Sequence, residues 1–101
     1  MSEKIMTLLG FASKAGKLSF GMSAAVDAVK AKKARLLIVS SDVSPKSLKE
    51  INFYGEKYDL PVKVLGEDMQ RLSLAVGRKC GILSVNDEGF ASSVSSQEET
   101  I

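Results

Sequence analysis

The chain contains no histidine, and that absence removes more chemistry than any other property of its 101 residues. Without imidazole there is no Ser–His or Cys–His nucleophile and no histidine acid–base catalysis. One cysteine, Cys80, has no partner for a disulfide, a dithiol or a thiolate zinc site. At the entrance of an apolar segment it reads as a small core hydrophobe, and its solitude suits a reducing compartment. Neither a metal nor a cofactor is expected, and with no catalytic pairing in view the chain is not expected to be an enzyme. No apolar run reaches the length of a membrane span, and Met1-Ser2-Glu3-Lys4 begins no signal-peptide hydrophobic region. A cytoplasmic protein without a membrane partner is the expectation. Aromatic residues are scarce, at 6%, so few rings are available to stack on bases. Phe20, Tyr54 and Tyr58 are the candidates, and core packing is expected to use at least two of them.

Neither sign of charge dominates, yet the charge is unevenly placed. Residues 1–50 carry nine Lys/Arg against four Asp/Glu, a balance of +5; residues 51–101 carry five against eight, a balance of −3. The first half therefore points towards an anionic partner. The length allows one domain with its own core, and no linker or internal repeat interrupts it.

Ile5, Leu8, Leu9 and Ala12 recur at helical spacing over residues 3–15, with Ser2 as candidate N-cap and Gly16 as the stop. Lys17–Phe20 has room only for a strand fragment. Met22, Ala25, Val26 and Val29 set a second helix, which runs into the basic stretch 30–35. Leu36–Val39 is a continuous apolar run, the pattern of a strand buried on both faces of a parallel sheet. Ser44-Pro45 caps and opens a helix lined by Leu48, Ile51 and Tyr58, and Val62–Leu65 makes a strand. Asp68 caps a helix of Met69, Leu72 and Ala75 that stops at Gly77. Gly81–Val85 is the last strand, and Phe90, Ala91 and Val94 dock a short final helix. This order, read with two βαβ units, predicts an α/β fold: a three-layer α/β/α sandwich around a small mixed, mainly parallel four-stranded sheet. The domain is expected over residues 1–94, and the polar, acidic stretch 95–101 as a disordered tail.

The most informative stretch is Gly16-Lys17-Leu18-Ser19-Phe20-Gly21 with the helix that follows it. Two glycines deliver a tight turn to a helix N-terminus, whose unpaired N–H groups and partial positive charge suit an anion such as phosphate. Lys14 and Lys17 are expected to strengthen that field. A nucleotide-binding P-loop is excluded: five residues separate Gly10 from Gly16 where four are needed, and Leu18 replaces the magnesium-holding Ser/Thr. Ser40-Ser41-Asp42 follows the best strand, where α/β enzymes place ligands, but with no base partner it reads as a turn leading to the Ser44 cap. Lys30–Arg35 reads first as cations complementing a helix C-terminus, and could also reach phosphates of a long RNA. Arg78-Lys79-Cys80-Gly81 is a short basic loop, either an ordinary helix–strand connection or a second wall beside Gly21.

Gly16–Gly21 with its helix, Leu36–Val39 followed by Ser40-Ser41-Asp42-Val43-Ser44-Pro45, and Leu72-Ser73-Leu74-Ala75-Val76-Gly77 together resemble the ribosomal L-seven-Ae superfamily. The likeness covers residues 4–90, and Asn86–Ala91 is similar to its short bacterial YlxQ-like branch. Such proteins are small α/β/α sandwiches that bind kink-turn RNA through the N-terminus of the second helix and the loop before the last strand. Carried onto this chain, the resemblance implies contacts from Gly21, Met22, Ser23, Ala24 and Asp27 and from Arg78, Lys79, Cys80 and Gly81. Ser23 and Ala24 stand where the family has an Asn-Glu pair that reads guanines, Asp27 where it has a lysine, and Ser73 where it has a glycine.

The expected function is non-catalytic binding of structured, kink-turn-like RNA in the translation apparatus, as a monomer whose partner is an RNA such as ribosomal RNA. The expected RNA-binding residues are Lys14, Lys17, Gly21, Met22, Ser23, Arg78, Lys79, Cys80 and Gly81. The alternative is a protein–protein interaction module on the same fold that has lost kink-turn readout.

Overall fold

The computed structural model describes residues 3–97. The elements are α1 (Glu3–Lys14), β1 (Leu18–Phe20), α2 (Met22–Lys30), β2 (Leu36–Val39), α3 (Pro45–Lys57), β3 (Val62–Val64), α4 (Met69–Val76), β4 (Ile82–Val85) and α5 (Glu88–Ser95). Local chemistry accounts for most of their ends. Ser44 Oγ accepts the Ser47 N–H at 3.1 Å with Pro45 in the first turn of α3, and Asp68 Oδ1 accepts the Arg71 N–H at 2.9 Å. Gly77 closes α4 in the left-handed conformation, as expected. Asp87, not foreseen as a cap, accepts the Phe90 N–H at 2.8 Å and starts α5. The expected cap Ser2 and tail residues 98–101 lie outside the described residues. Ser95, expected as the first residue of the tail, is the last residue of α5.

The strand order is β1-β4-β2-β3, with β2 and β3 parallel and β4 antiparallel to both its neighbours. The sheet is mixed, as expected, but it is not mainly parallel: two of its three pairings are antiparallel, and only β2–α3–β3 is a βαβ unit. Leu36–Val39 and Ile82–Val85 are wholly buried. A continuous apolar run reports burial of both faces, whichever way the neighbouring strand points. Such a run therefore identifies a strand without fixing its direction.

Alternation along β2 and β4 divides the core. Leu36, Ile38, Leu83 and Val85 face α1, α4 and α5, where Ile5, Leu9, Leu72 and Val94 meet them; Leu37, Val39 and Ile82 face α2 and α3 with Ala25, Val29 and Ile51. Two helical layers enclosing one sheet make the three-layer sandwich. α3 seats closely on β3 at Gly55, where an added Cβ would lie 2.7 Å from Val62 Cγ2. Polar groups in the core are paired: Ser84, fully buried, donates to Asn86 Oδ1, whose Nδ2 donates to Ser19 Oγ. Tyr54 and Tyr58 pack against the second cluster and Phe20 against the first, which uses all three aromatic candidates at least partly in packing.

Candidate functional site

Gly21 joins β1 to α2 with φ 91° and ψ 162°, a region only glycine enters without strain. Its N–H donates to the Ile82 carbonyl at 2.8 Å, tying the turn to β4, and its carbonyl accepts the Ala25 N–H at 2.9 Å. The N–H groups of Met22, Ser23 and Ala24 precede that first helical bond, and no side chain caps them. The contrast with α3, α4 and α5 is sharp, since Ser44, Asp68 and Asp87 each cap their own helix. The α2 N-terminus alone among these four is left open.

The loop between α4 and β4 forms the facing wall. The Ser73 hydroxyl donates to the Met69 carbonyl at 2.7 Å and accepts the Cys80 N–H at 3.1 Å, clamping the loop to the first turns of α4. The Gly81 carbonyl accepts the Ser40 N–H at 2.8 Å. Ser40 in turn donates its hydroxyl to Asp42 Oδ1 at 2.9 Å, and the same oxygen accepts the Met69 N–H at 2.9 Å. The Ser40 hydroxyl is the largest influence and holds the Asp42 carboxyl below its ordinary value of 3.8; desolvation opposes it, and the Met69 N–H adds a lesser downward pull. One polar chain thus links the end of β2, the start of α4 and the basic loop. Arg78 lies with its guanidinium 4.8 Å from the Phe20 ring centroid, stacking the loop on the residue before Gly21.

The N-terminal ends of α2, α3 and α4 converge on one cavity of about 280 Å³, lined by Met22, Val43, Ser44, Met69, Gly81 and Ile82 among others. A wider cleft of about 710 Å³ adjoins it between α4 and the loop, edged by Leu74, Arg78 and Lys79. Three helix N-termini and two cations make this edge attractive to an anion. Carboxylates already occupy the α4 terminus, so the open donors are those of α2.

Gly21, Met22 and Gly81 line one cavity, Arg78 stacks on Phe20 beside it, Arg78 and Lys79 edge the adjoining cleft, and Ser23 follows in the first turn of α2. Cys80 is beside them only through its backbone: its side chain is buried in the core, and burial pushes the thiol pKa up despite the opposing charge of Arg78. Lys14 and Lys17 are elsewhere. Lys17 precedes β1 and its carbonyl accepts the Asn86 N–H, at the far end of a strand roughly 10 Å long. Lys14 edges a groove with Phe11 and Arg71 on the outer side of α1 and α4. The expectation that these lysines reinforce the Gly21 turn is therefore corrected: proximity along the chain is undone by an intervening strand. Sequence reasoning missed Ser40, Asp42, Met69 and Ser73 as builders of the site. Asp42 and Met69 lie 27 positions apart, and only the polar run Ser40-Ser41-Asp42 after a strand hinted at the tie. Among the described residues no group of three or more His, Cys, Asp or Glu is placed to hold a metal, and no helix is long and apolar enough to cross a membrane.

A mixed four-stranded sheet between two helical layers defines the class: a small α/β/α sandwich domain. Residues 3–95 match the ribosomal protein L7Ae/L30e/S12e/Gadd45 family, and the chain belongs to it. It is similar to the RNA-binding protein YlxQ of Enterococcus faecium, with 27% identity over 89 residues covering 88% of this chain and 85% of that one. It is 26% identical over 88 residues to the large ribosomal subunit protein eL30 of Aeropyrum pernix, covering 85% and 88%. A solved protein of unknown function from Bacillus halodurans superposes with a TM-score of 0.88 at 33% identity, over 92% of this chain and 94% of that one. The 15.5kD RNA binding protein of Giardia lamblia shares the fold, with a TM-score of 0.77 at 18% identity over 92% and 79%.

Proposed function

We propose that this chain is a non-catalytic RNA-binding protein of the translation apparatus that grips a sharply bent RNA of the kink-turn kind. The observation that carries the reading is the uncapped α2 N-terminus, which opens with Gly81 onto one cavity while Arg78 and Lys79 edge the cleft adjoining it. A backbone phosphate is held by the N–H groups of Met22, Ser23 and Ala24, with Arg78 and Lys79 supplying charge on the opposite side. A base unstacked by the bend enters the cavity between Met22, Val43 and Ile82, since irregular RNA offers such bases and regular duplex does not. Ser23 and Ala24 cannot reproduce an Asn-Glu pair, so recognition rests on backbone amides and shape more than on base edges. The family's YlxQ and eL30 relatives support the RNA class.

The test is titration of a kink-turn RNA, and of the same RNA lacking its sheared G·A pairs, across a salt series. Tighter binding to the kinked form is expected, with log affinity falling linearly with log salt. Equal, weak binding to both would overturn recognition of the bend. The second reading, a protein-interaction module, draws on Leu74 and Phe11, which are 73% and 56% exposed beside the two α4 grooves. Protein partners retained after nuclease treatment, with no RNA bound, would favour it.

A further inference from the structure

The basic stretch 30–35, which the Gly21 cradle does not use, meets a second set of groups at the opposite pole. α2 is nine residues long, so its C-terminus lies about 14 Å from Gly21. There it runs alongside the C-terminus of α3. A groove of about 400 Å³ opens between the two ends, lined by Lys32, Ala34, Arg35, Lys57, Tyr58 and Asp59 among others. Lys30 Nζ stands 5.7 Å from the Tyr54 ring centroid, and Lys57 Nζ stands 5.8 Å from those of both Phe53 and Tyr58. We propose that this groove is a second phosphate-binding surface, which holds the RNA backbone flanking the bend; the proposal rests on the RNA-binding reading above.

Helix-end complementation accounts for only part of the charge. Two helix C-termini carry together about one unit of negative partial charge. Asp59 adds one more in the groove, and Glu88 pairs with Arg35 at 3.7 Å. The ammoniums of Lys30, Lys32, Lys33 and Lys57 exceed what those groups neutralise. Glu56 lines a separate cavity with Leu48 and Phe53, and Asp27 lies nearly a turn nearer the other end of α2. The aromatic rings decide what kind of contact this is. Ammoniums of the protein itself already stand over Tyr54, Phe53 and Tyr58, so the rings steady lysine stems and do not receive bases. Fixed ammoniums suit phosphate oxygens, and contacts of that kind position RNA without reading its sequence.

The test compares the wild-type chain, Lys32→Gln/Lys33→Gln/Lys57→Gln, and Arg78→Glu/Lys79→Glu on a short-armed kink-turn RNA. Two further RNAs extend one arm or the other to about 16 base pairs, the span of a double-stranded RNA-binding domain. Thermal melts establish that the exposed substitutions leave the fold intact. The triple variant is expected to match wild type on the short RNA and to lose about tenfold or more on a long-armed one. Its salt slope there should fall by about 2 to 3, close to 0.9 per lost contact. A triple variant equal to wild type on both long RNAs overturns the inference. Should wild type ignore the kink altogether, a plain RNA duplex of about 16 base pairs separates the two proposals: weaker duplex binding by the triple variant keeps the second surface and discards the bent-RNA site. Unchanged duplex binding discards both. Loss of polyglutamate binding in the triple variant, with no gain from either long arm in wild type, would assign the surface to an acidic protein and overturn the RNA proposal.

Discussion

At the scale of single residues, Gly21 and Ser73 carry the geometry of the cradle by different means. Nothing lies within 4 Å of a Cβ added at Gly21, so the cost of Gly21→Ala is in the backbone, whose φ of +91° an L-residue rarely adopts. Destabilisation by roughly 1–3 kcal/mol is expected in urea melts, the ordinary cost of such strain. RNA affinity should drop further, because relaxing φ turns the α2 amides away from the cavity. Ser73 acts on the facing wall. Ser73→Ala leaves the Cys80 N–H without its partner, at about 1 kcal/mol, while alanine recovers a few tenths through helix propensity. A small net loss of stability is expected together with markedly faster hydrogen exchange at the Cys80 amide. Slow exchange retained at Cys80 would show that the clamp is dispensable.

Elements were legible in this chain where their ends are chemical. Ser44-Pro45, Asp68 and Gly77 mark α3 and α4 because each satisfies backbone groups that a helix cannot satisfy for itself. The runs Leu36–Val39 and Gly81–Val85 announced buried strands for the same local reason. Pairing direction was not legible, since it depends on which strands lie side by side, and this mattered for the site. Antiparallel β4 is what carries Gly81 and the basic loop to the same sheet edge as the carboxyl ends of β2 and β3. A parallel β4 would have sent that loop to the opposite edge, away from Gly21. The polar tie from Ser40 through Asp42 to Met69 was equally hidden, and it has a pH signature. The folded carboxyl of Asp42 titrates below its ordinary 3.8, so its contribution is complete above that value and is lost only as pH falls through the lower folded value. The Met69 amide shift should report a midpoint under 3.8 in an NMR titration, and Asp42→Asn should abolish that transition. A midpoint at or above 3.8 would mean that the tie does not form.

The whole molecule, 29 × 28 × 24 Å in extent, is polar in a specific sense. The N-termini of α2, α3 and α4 converge at one edge of the sheet, while the C-termini of α2 and α3 converge at the other with their lysines. A sequence count by halves misses this division: Lys17 and the basic stretch 30–35 of the first half lie towards the edge away from the cradle, whereas the cations beside the cradle, Arg78 and Lys79, come from the second half. Lys17 belongs to the edge away from the cradle, as the Lys17–Asn86 hydrogen bond and the pairing of Leu18 with Val85 require. Lys79 belongs to the cradle itself. Charge reversal at the two positions should therefore differ in consequence although each alters the net charge equally. On a short-armed kink-turn RNA, Lys79→Glu is expected to weaken binding at least tenfold, about 1.4 kcal/mol, and to lower the salt slope by about one. Lys17→Glu, screened over a distance comparable to the Debye length of about 10 Å at 0.1 M salt, should change affinity far less. Equal losses at both positions would mean that RNA answers to the net charge of the chain, and the division of its surface into two poles would have no bearing on binding.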